Sequence, residues 1–315
     1  MRQKPTLSVF VSLSIFLVLG CGQVPRYYHR TREIMGTLVT ITCPDPQAID
    51  KAFAEIERVD ALLSSYKPQS EISRLNAAGR LKACPETMFV VRQARRLYEM
   101  SQGAFDITVG QLARLWNIKE KMFLPPGQIA IPSPREIEKV LSRVGMNFVE
   151  LKKKTGIIIL TSPGLRLDLG GIAKGYAVDR AVAVLREAGV SSALIDAGGD
   201  IYCLGKKGKR PWSVGLRRPR HNGSVSKVFS LVDRAVATSG DYEQFFLYKG
   251  KRYTHIIDPR TGYPVDNGIR SVTVFANDCL TADGLATAIF VLGEKKGRAL
   301  AAKFEGVEVE IIRGE

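Results

Sequence analysis

Residues 167–179 read Leu-Asp-Leu-Gly-Gly-Ile-Ala-Lys-Gly-Tyr-Ala-Val-Asp. An apolar strand end, a double glycine and a helix start bring bare backbone groups and a helix N-terminus toward one point, which suits a phosphate or a cation. Lys174 lies in the first helical turn, where a cation opposes the helix dipole unless a bound phosphate compensates it. The glycine spacing fits neither a P-loop nor a dinucleotide-binding fingerprint. By spacing alone, the segment fits a purely structural strand–turn–helix equally well.

Amphipathic helices and short strands are predicted on both sides of this segment. Apolar residues at three- and four-residue spacing from Ile49 to Leu63 predict a helix that ends near Pro68. Further helices are predicted over 86–101, 135–144, 173–188 and 281–292, with another helix near the C-terminus. The proline- and glycine-rich residues 123–134 predict a loop.

Runs rich in β-branched residues predict the strands. They cover 37–43, 156–161, 193–196, 201–204, 212–216, 228–232, 271–276 and 307–312. Because strands and helices do not alternate regularly, the pattern predicts an α+β fold with a largely antiparallel sheet and packed helices. Residues 34–315 are expected to form one domain.

The N-terminus has the layout of an export signal, with Arg2 and Lys4 before an apolar run over 7–19. That run spans roughly 20 Å as a helix, short of the ~30 Å hydrocarbon core of a membrane. We therefore predict a lipoprotein signal peptide over 1–20 and a polar tether over 21–33. Residues 18–21 resemble a lipobox, which predicts acylation of Cys21 and a lipid anchor. An ordinary signal peptide with an incidental cysteine remains the alternative.

The chain carries a net charge of +15, with lysines and arginines spread from end to end. Nucleic-acid binding would need these side chains gathered on one element, so no nucleic-acid partner is expected. Anionic lipid headgroups and a phosphate-bearing ligand are both compatible with the charge. The cysteines form no CxxC pair and no cysteine–histidine spacing, so no structural zinc is expected.

Five motifs, taken together, resemble the ApbE flavin transferase family, and the resemblance covers nearly all of the chain after the signal peptide. The motifs are Met35-Gly36-Thr37, Tyr66-Lys67-Pro68 with 70–76, Gly103 to Thr108, Asp168 to Asp179, and His255 to Gly262 leading to 282–287. The resemblance implies an ApbE-like α+β fold and a transferase that uses FAD as its substrate.

Asp283 and Thr287 are candidate metal ligands. They lie four residues apart in a predicted helix, so both side chains share one face. A carboxylate and a hydroxyl are hard oxygen ligands suited to Mg²⁺. The resemblance implies a third ligand, the backbone carbonyl of Gly171. Without the resemblance, a helix-capping Asp283 and a packing Thr287 are the better explanation of the pattern.

His255 is the candidate catalytic base, because a neutral imidazole before the following turn could take a proton from an incoming hydroxyl. That role, too, is what the resemblance implies, since a lone histidine there is otherwise more typical of a structural residue. The resemblance also implies that Lys174 approaches the FAD diphosphate, and that Asp196 and Asp200 belong to the scaffold. The implied flavin contacts are Met35, Tyr66, Ala104, Phe105, Asp106 and Ile257.

The implied reaction is Mg²⁺-dependent transfer of FMN from FAD to a threonine hydroxyl of an acceptor protein, with release of AMP. The implied acceptor is a subunit of a membrane redox complex. The implied location is the periplasmic side of the inner membrane. Two alternatives stay open: an FAD pyrophosphatase that releases free FMN and AMP, and a flavin-binding lipoprotein without catalysis.

Overall fold

The structure is a computed structural model that describes residues 26–217 and 225–314. The predicted signal peptide and Cys21 lie outside the described residues. Within those two ranges, no helix combines the length and the apolar character needed to cross a membrane.

The strands of the described residues belong to one large sheet and three small ones. In chain order they are β1 Tyr28–Ile34, β2 Thr37–Cys43, β3 Arg80–Lys82, β4 Val149–Lys152, β5 Ile157–Leu160, β6 Ala193–Ala197, β7 Asp200–Leu204, β8 Trp212–Arg217, β9 Val225–Leu231, β10 Arg234–Gly240, β11 Phe245–Tyr248, β12 Lys251–Thr254, β13 Ile269–Ala276 and β14 Glu308–Arg313.

The large sheet has the order β1-β2-β6-β7-β10-β13-β14, and each neighbouring pair in it is antiparallel. The small sheets are β3-β5-β4, β8-β9 and β11-β12. This architecture confirms the predicted α+β class with a largely antiparallel sheet.

The helices of the described residues supply the second layer. They are α1 Pro46–Leu63, α2 Glu71–Ala78, α3 Pro85–Met100, α4 Gly110–Trp116, α5 Ile118–Lys121, α6 Pro134–Leu141, α7 Ala173–Glu187, α8 Cys279–Leu292 and α9 Glu294–Ala301. Helix α7 packs against α1 and α8, and both α7 and α8 contact strands of the large sheet. The main hydrophobic core lies between these helices and that sheet.

Local chemistry explains where the central helices begin. Asp45 caps α1 by accepting hydrogen bonds from the backbone N–H groups of Gln47 and Ala48, and Asp278 caps α8 through the N–H of Thr281. Helix α1 buries the apolar face that its sequence predicts, including Phe53 and Ile56. The cysteines of the described residues are free thiols.

Residues 28–33 differ from the expected tether, because they belong to β1 at the edge of the large sheet. Its side chains are exposed except for Ile34, and Arg30 and Arg32 both pair with Asp50 of α1. An edge strand with solvated side chains on both faces shows no alternation of polarity, so the sequence gives no period-two signal. The short helices α2, α4 and α5 are further additions to the sequence prediction.

Two hairpin turns meet at one end of the large sheet. Met35 and Gly36, with φ of 57° and 71°, form the turn between β1 and β2. Gly198 and Gly199, with φ of 66° and 97°, form the turn between β6 and β7. A Cβ atom on Gly198 would lie only 2.1 Å from the Thr37 hydroxyl. The two turns can touch because Gly198 has no side chain, and glycine also adopts the left-handed conformation without strain. The candidate site lies at this end.

Candidate functional site

The turn before α7 is fixed by hydrogen bonds from distant segments. The Asn76 side chain donates to the Leu167 carbonyl at 2.8 Å and accepts from the Leu167 N–H at 2.6 Å. The Asp168 N–H donates to the Ile107 carbonyl at 2.7 Å, and the Asp168 carboxylate accepts from the Gly170 N–H at 2.9 Å. No side chain caps α7 at Ile172. The predicted turn and uncapped helix start are therefore present, but the expected strand before them is not: Arg166 forms only an isolated bridge with Val109, and the next strand upstream, Ile157–Leu160, ends well before the turn.

Helices α7 and α8 meet closely beside this turn. A Cβ atom on Gly175 would lie 2.3 Å from the Cys279 carbonyl oxygen and 2.9 Å from the Asp283 Cβ. The Gly175 N–H donates to Asp283 Oδ2 at 3.1 Å. The absent side chain at Gly175 thus lets α7 place its first turn against the Asp283 carboxylate.

Lys174 joins two buried carboxylates. Its Nζ lies 2.7 Å from Asp200 Oδ2 and 3.7 Å from Asp283 Oδ1, and only 2% of Asp200 and 4% of Asp283 is exposed. Burial alone would lower the pKa of Lys174, but Asp200 and Asp283 outweigh burial and raise it, so the ammonium stays charged.

The two carboxylates have raised pKa values. Burial and the neighbouring Asp283 raise the pKa of Asp200 to about 8, and burial raises the pKa of Asp283. Raised pKa values mean that this acidic pair binds a proton more tightly than isolated acids do. A cation beside Asp283 would therefore stabilise its charged form.

Thr287 lies one turn beyond Asp283 on α8 and faces the double-glycine turn. A Cβ atom on Gly171 would lie 3.1 Å from Thr287 Oγ1 and 3.3 Å from the Phe105 ring. Thr287 Oγ1 is also 3.3 Å from Ser239 Oγ. The structure therefore places Thr287 against Gly171 and one helical turn from Asp283, whose carboxylate accepts from the Gly175 N–H. A carboxylate, a hydroxyl and a backbone segment suit Mg²⁺, which needs few protein ligands.

His255 follows β12 and is half-buried. Its backbone N–H donates to the Gln244 carbonyl at 3.0 Å, and its Nδ1 lies 3.2 Å from the same oxygen. Because a carbonyl only accepts hydrogen bonds, Nδ1 carries the proton and Nε2 keeps a free lone pair. Burial lowers the pKa of His255 to about 4, and the charges of Lys174 and Lys119 act in the same direction. The imidazole is therefore neutral at pH 7.

The predicted flavin contacts fall into different environments. Met35 lies in the β1–β2 turn and packs partly against the main core. Tyr66 is 70% exposed, and Lys119 Nζ lies 4.6 Å from the centre of its ring. Ile257 is buried in a smaller cluster with Leu112, Trp116 and Phe246. Met35 and Tyr66 are thus accessible, whereas Ile257 has the contacts of a core residue.

Ala104, Phe105 and Asp106 lie between α3 and α4 and are buried. Asp106 Oδ1 accepts hydrogen bonds from the N–H of Thr108 at 2.8 Å and from its hydroxyl at 2.7 Å, and burial raises the pKa of Asp106 to about 6. Phe105 lies beneath Gly171. The segment therefore forms a supporting wall behind the double-glycine turn.

Sequence reasoning missed residues that the fold brings to the site. Lys119 in α5 faces Tyr66, and no motif indicates it. Asp200 contacts Lys174, although the sequence analysis assigned it to the scaffold. An acid directly after two glycines at a strand start was the available signal. Asp179 accepts from the N–H groups of Cys279 and Leu280 at 2.7 and 2.9 Å, so it fixes the start of α8.

The sequence of this chain is similar to those of known proteins. The sequence model of the ApbE family matches residues 35–311. The FAD:protein FMN transferase of Vibrio cholerae is 34% identical, over 91% of this chain and 88% of that protein. The FAD:protein FMN transferase of Treponema pallidum is also 34% identical, over 91% of this chain and 84% of that protein.

Solved structures give the same result. The crystal structure of the ApbE protein of Thermotoga maritima superposes with a TM-score of 0.81 at 34% identity, covering 92% of this chain and 97% of that one. The flavin transferase ApbE from Vibrio cholerae superposes with a TM-score of 0.80 at 31% identity, covering 92% and 94%. The resemblance of the five motifs is thereby confirmed, and this chain belongs to the ApbE family.

Proposed function

We propose that this protein transfers FMN from FAD to a hydroxyl group of an acceptor protein and releases AMP. The observation that carries the proposal is the position of Thr287 against Gly171, one turn of α8 from the Asp283 carboxylate that lies beside Lys174. Relatives named FAD:protein FMN transferase, which match over most of this chain, support it. Flavin storage without catalysis would have no evident need for such a cation site.

Asp283, Thr287 and the Gly171 carbonyl would hold Mg²⁺. When bound there, the ion would supply Lewis-acid stabilisation of the charge on the FAD diphosphate. Lys174, which carries a permanent charge beside this set, would stabilise the negative charge on the departing AMP. In phosphoryl transfers, most of the rate acceleration comes from correct positioning of the reacting groups and from cations that are shielded from water.

The acceptor hydroxyl forms a bond to the FMN phosphorus, and the bond from that phosphorus to the bridging oxygen breaks. AMP leaves with the bridging oxygen, and the flavin remains attached as a phosphoester. The hydroxyl proton passes to Nε2 of His255, whose lone pair is free because Nδ1 faces the Gln244 carbonyl. By family resemblance, the acceptor group is a threonine of a membrane redox subunit.

The cellular setting is also part of the proposal. Acylation of Cys21 would anchor the protein to the periplasmic side of the inner membrane. Strand β1 runs from Tyr28 to the turn at Met35, a distance of about 20 Å at roughly 3.3 Å per residue. The tether would then enter at the end of the sheet opposite the site, which leaves the site open to an acceptor away from the lipid surface.

The test uses the purified protein with FAD, Mg²⁺ and a threonine-bearing acceptor domain. Wild type should release AMP and give a fluorescent acceptor band on a denaturing gel, and Asp283→Asn should lose both activities by about 100-fold or more. The matched control is Asp278→Asn on the same helix, because asparagine also caps helices well. Full activity of Asp283→Asn would remove this residue from the site. Free FMN without a labelled acceptor would favour the pyrophosphatase.

A further inference from the structure

Asp200 is a buried acid that the proposed chemistry does not use. It begins β7, directly after the glycine turn. Its Oδ2 accepts from Lys174 Nζ at 2.7 Å, whereas the same Nζ lies 3.7 Å from Asp283 Oδ1. Lys174 is therefore held by Asp200 and only approaches Asp283.

This difference in distance matters because the Asp283 oxygens have separate partners. Oδ2 accepts from the Gly175 N–H at 3.1 Å. Oδ1 is therefore the oxygen to which the Lys174 ammonium would donate if it moved closer. A buried ammonium and a buried carboxylate attract strongly, and a direct pair would occupy the oxygen that a cation needs. The shorter bond from Lys174 to Asp200 keeps that pair from closing.

We propose that Asp200 is a positioning residue that holds the Lys174 ammonium off Asp283 Oδ1. Asp283 can then bind a divalent cation while Lys174 stays beside the diphosphate. Asp200 would act on the metal site through Lys174. The inference rests on the proposed function, because it takes Asp283 as a metal ligand.

The test is calorimetric titration of the purified, FAD-free protein with Mn²⁺. Asp200→Asn should bind Mn²⁺ about 10–100-fold more weakly, the usual cost of losing a residue that orients a metal site. Removing the competing amine in the double variant Asp200→Asn/Lys174→Met should restore most of the affinity. The matched control is Asp196→Asn before the same turn, whose carboxylate accepts from the Gly199 N–H at 2.8 Å. It should bind Mn²⁺ within about twofold of wild type.

A crystal structure of metal-free Asp200→Asn gives the direct measurement. Lys174 Nζ should move into hydrogen-bonding distance of Asp283 Oδ1. An unchanged Mn²⁺ affinity, or a Lys174 that stays in place, would overturn the inference, and so would a double variant that fails to recover. If Asp283→Asn binds Mn²⁺ as tightly as wild type, the metal-site proposal fails together with it. If Asp283→Asn loses Mn²⁺ and Asp200→Asn does not, the proposed function stands and only the role of Asp200 falls.

Discussion

At Gly175, α7 and α8 come so close that alanine should both destabilise the protein and displace its site. An added Cβ would lie 2.3 Å from the Cys279 carbonyl oxygen and 2.6 Å from its carbon. Carbon contacts are normally about 3.5 Å or more, so the helices must separate by roughly 1 Å. Both contacting atoms belong to the backbone, so no side-chain rotation can relieve the contact.

Two opposing terms set the expected size of the Gly175→Ala effect. Alanine gains about 1 kcal/mol of helix propensity over glycine. Overpacking a filled interior costs typically 1–3 kcal/mol, occasionally more, and here the contact is with fixed backbone. We expect a net loss of about 1–2 kcal/mol, which lowers Tm by roughly 2–3 °C in a chain of this size. Because Asp283 moves with α8, AMP release should fall by about 100-fold, as it does when catalytic groups shift by 1 Å.

Differential scanning calorimetry and an AMP-release assay measure the two effects. The matched control is Gly284→Ala, next to Asp283 on the same helix, where the nearest atom is Leu97 Cδ2 at 2.6 Å. That atom is the end of a flexible side chain that can move aside. The Gly284→Ala variant should therefore gain the same helix propensity and lose less stability through overpacking. A Gly175→Ala protein that unfolds within about 1 °C of wild type and releases AMP at the wild-type rate would refute the close-packing argument.

Three further predictions concern the base and the anchor. His255→Ala should still bind FAD but label the acceptor about 10²–10⁴-fold more slowly; labelling at the wild-type rate would remove its role as base. In the FAD-free wild type, NMR should show the His255 imidazole neutral until the pH falls to about 4, since burial lowers its pKa. Cys21→Ser should release the protein from the membrane fraction, and a variant that still fractionates with membranes would contradict the lipid anchor.

The sequence by itself determined the features that depend on neighbouring residues. The spacing of apolar residues located α1 and α3, and the β-branched runs located β2 and β6, because periodicity reports which face of a single element is buried. The five motifs identified the family, and the four-residue spacing of Asp283 and Thr287 placed both on one face of α8. These inferences need no knowledge of how distant elements pack.

Only the tertiary structure decided which side chains meet. Lys174 and Asp200 are 26 positions apart, and Gly175 and Asp283 are 108 apart. A local pattern could mark Asp200 as an acid at a strand start, but it could not show that Lys174 is its partner. The strand β1 was missed because its solvated side chains carry no alternation, and its pairing depends on β2. Ala104, Phe105 and Asp106 are buried, and Phe105 packs against Gly171 of the double-glycine turn, 66 positions away. Sequence patterns report the local geometry of single elements. A site is made by contacts between remote segments, and those contacts form only when hydrophobic burial and backbone pairing fold the whole chain.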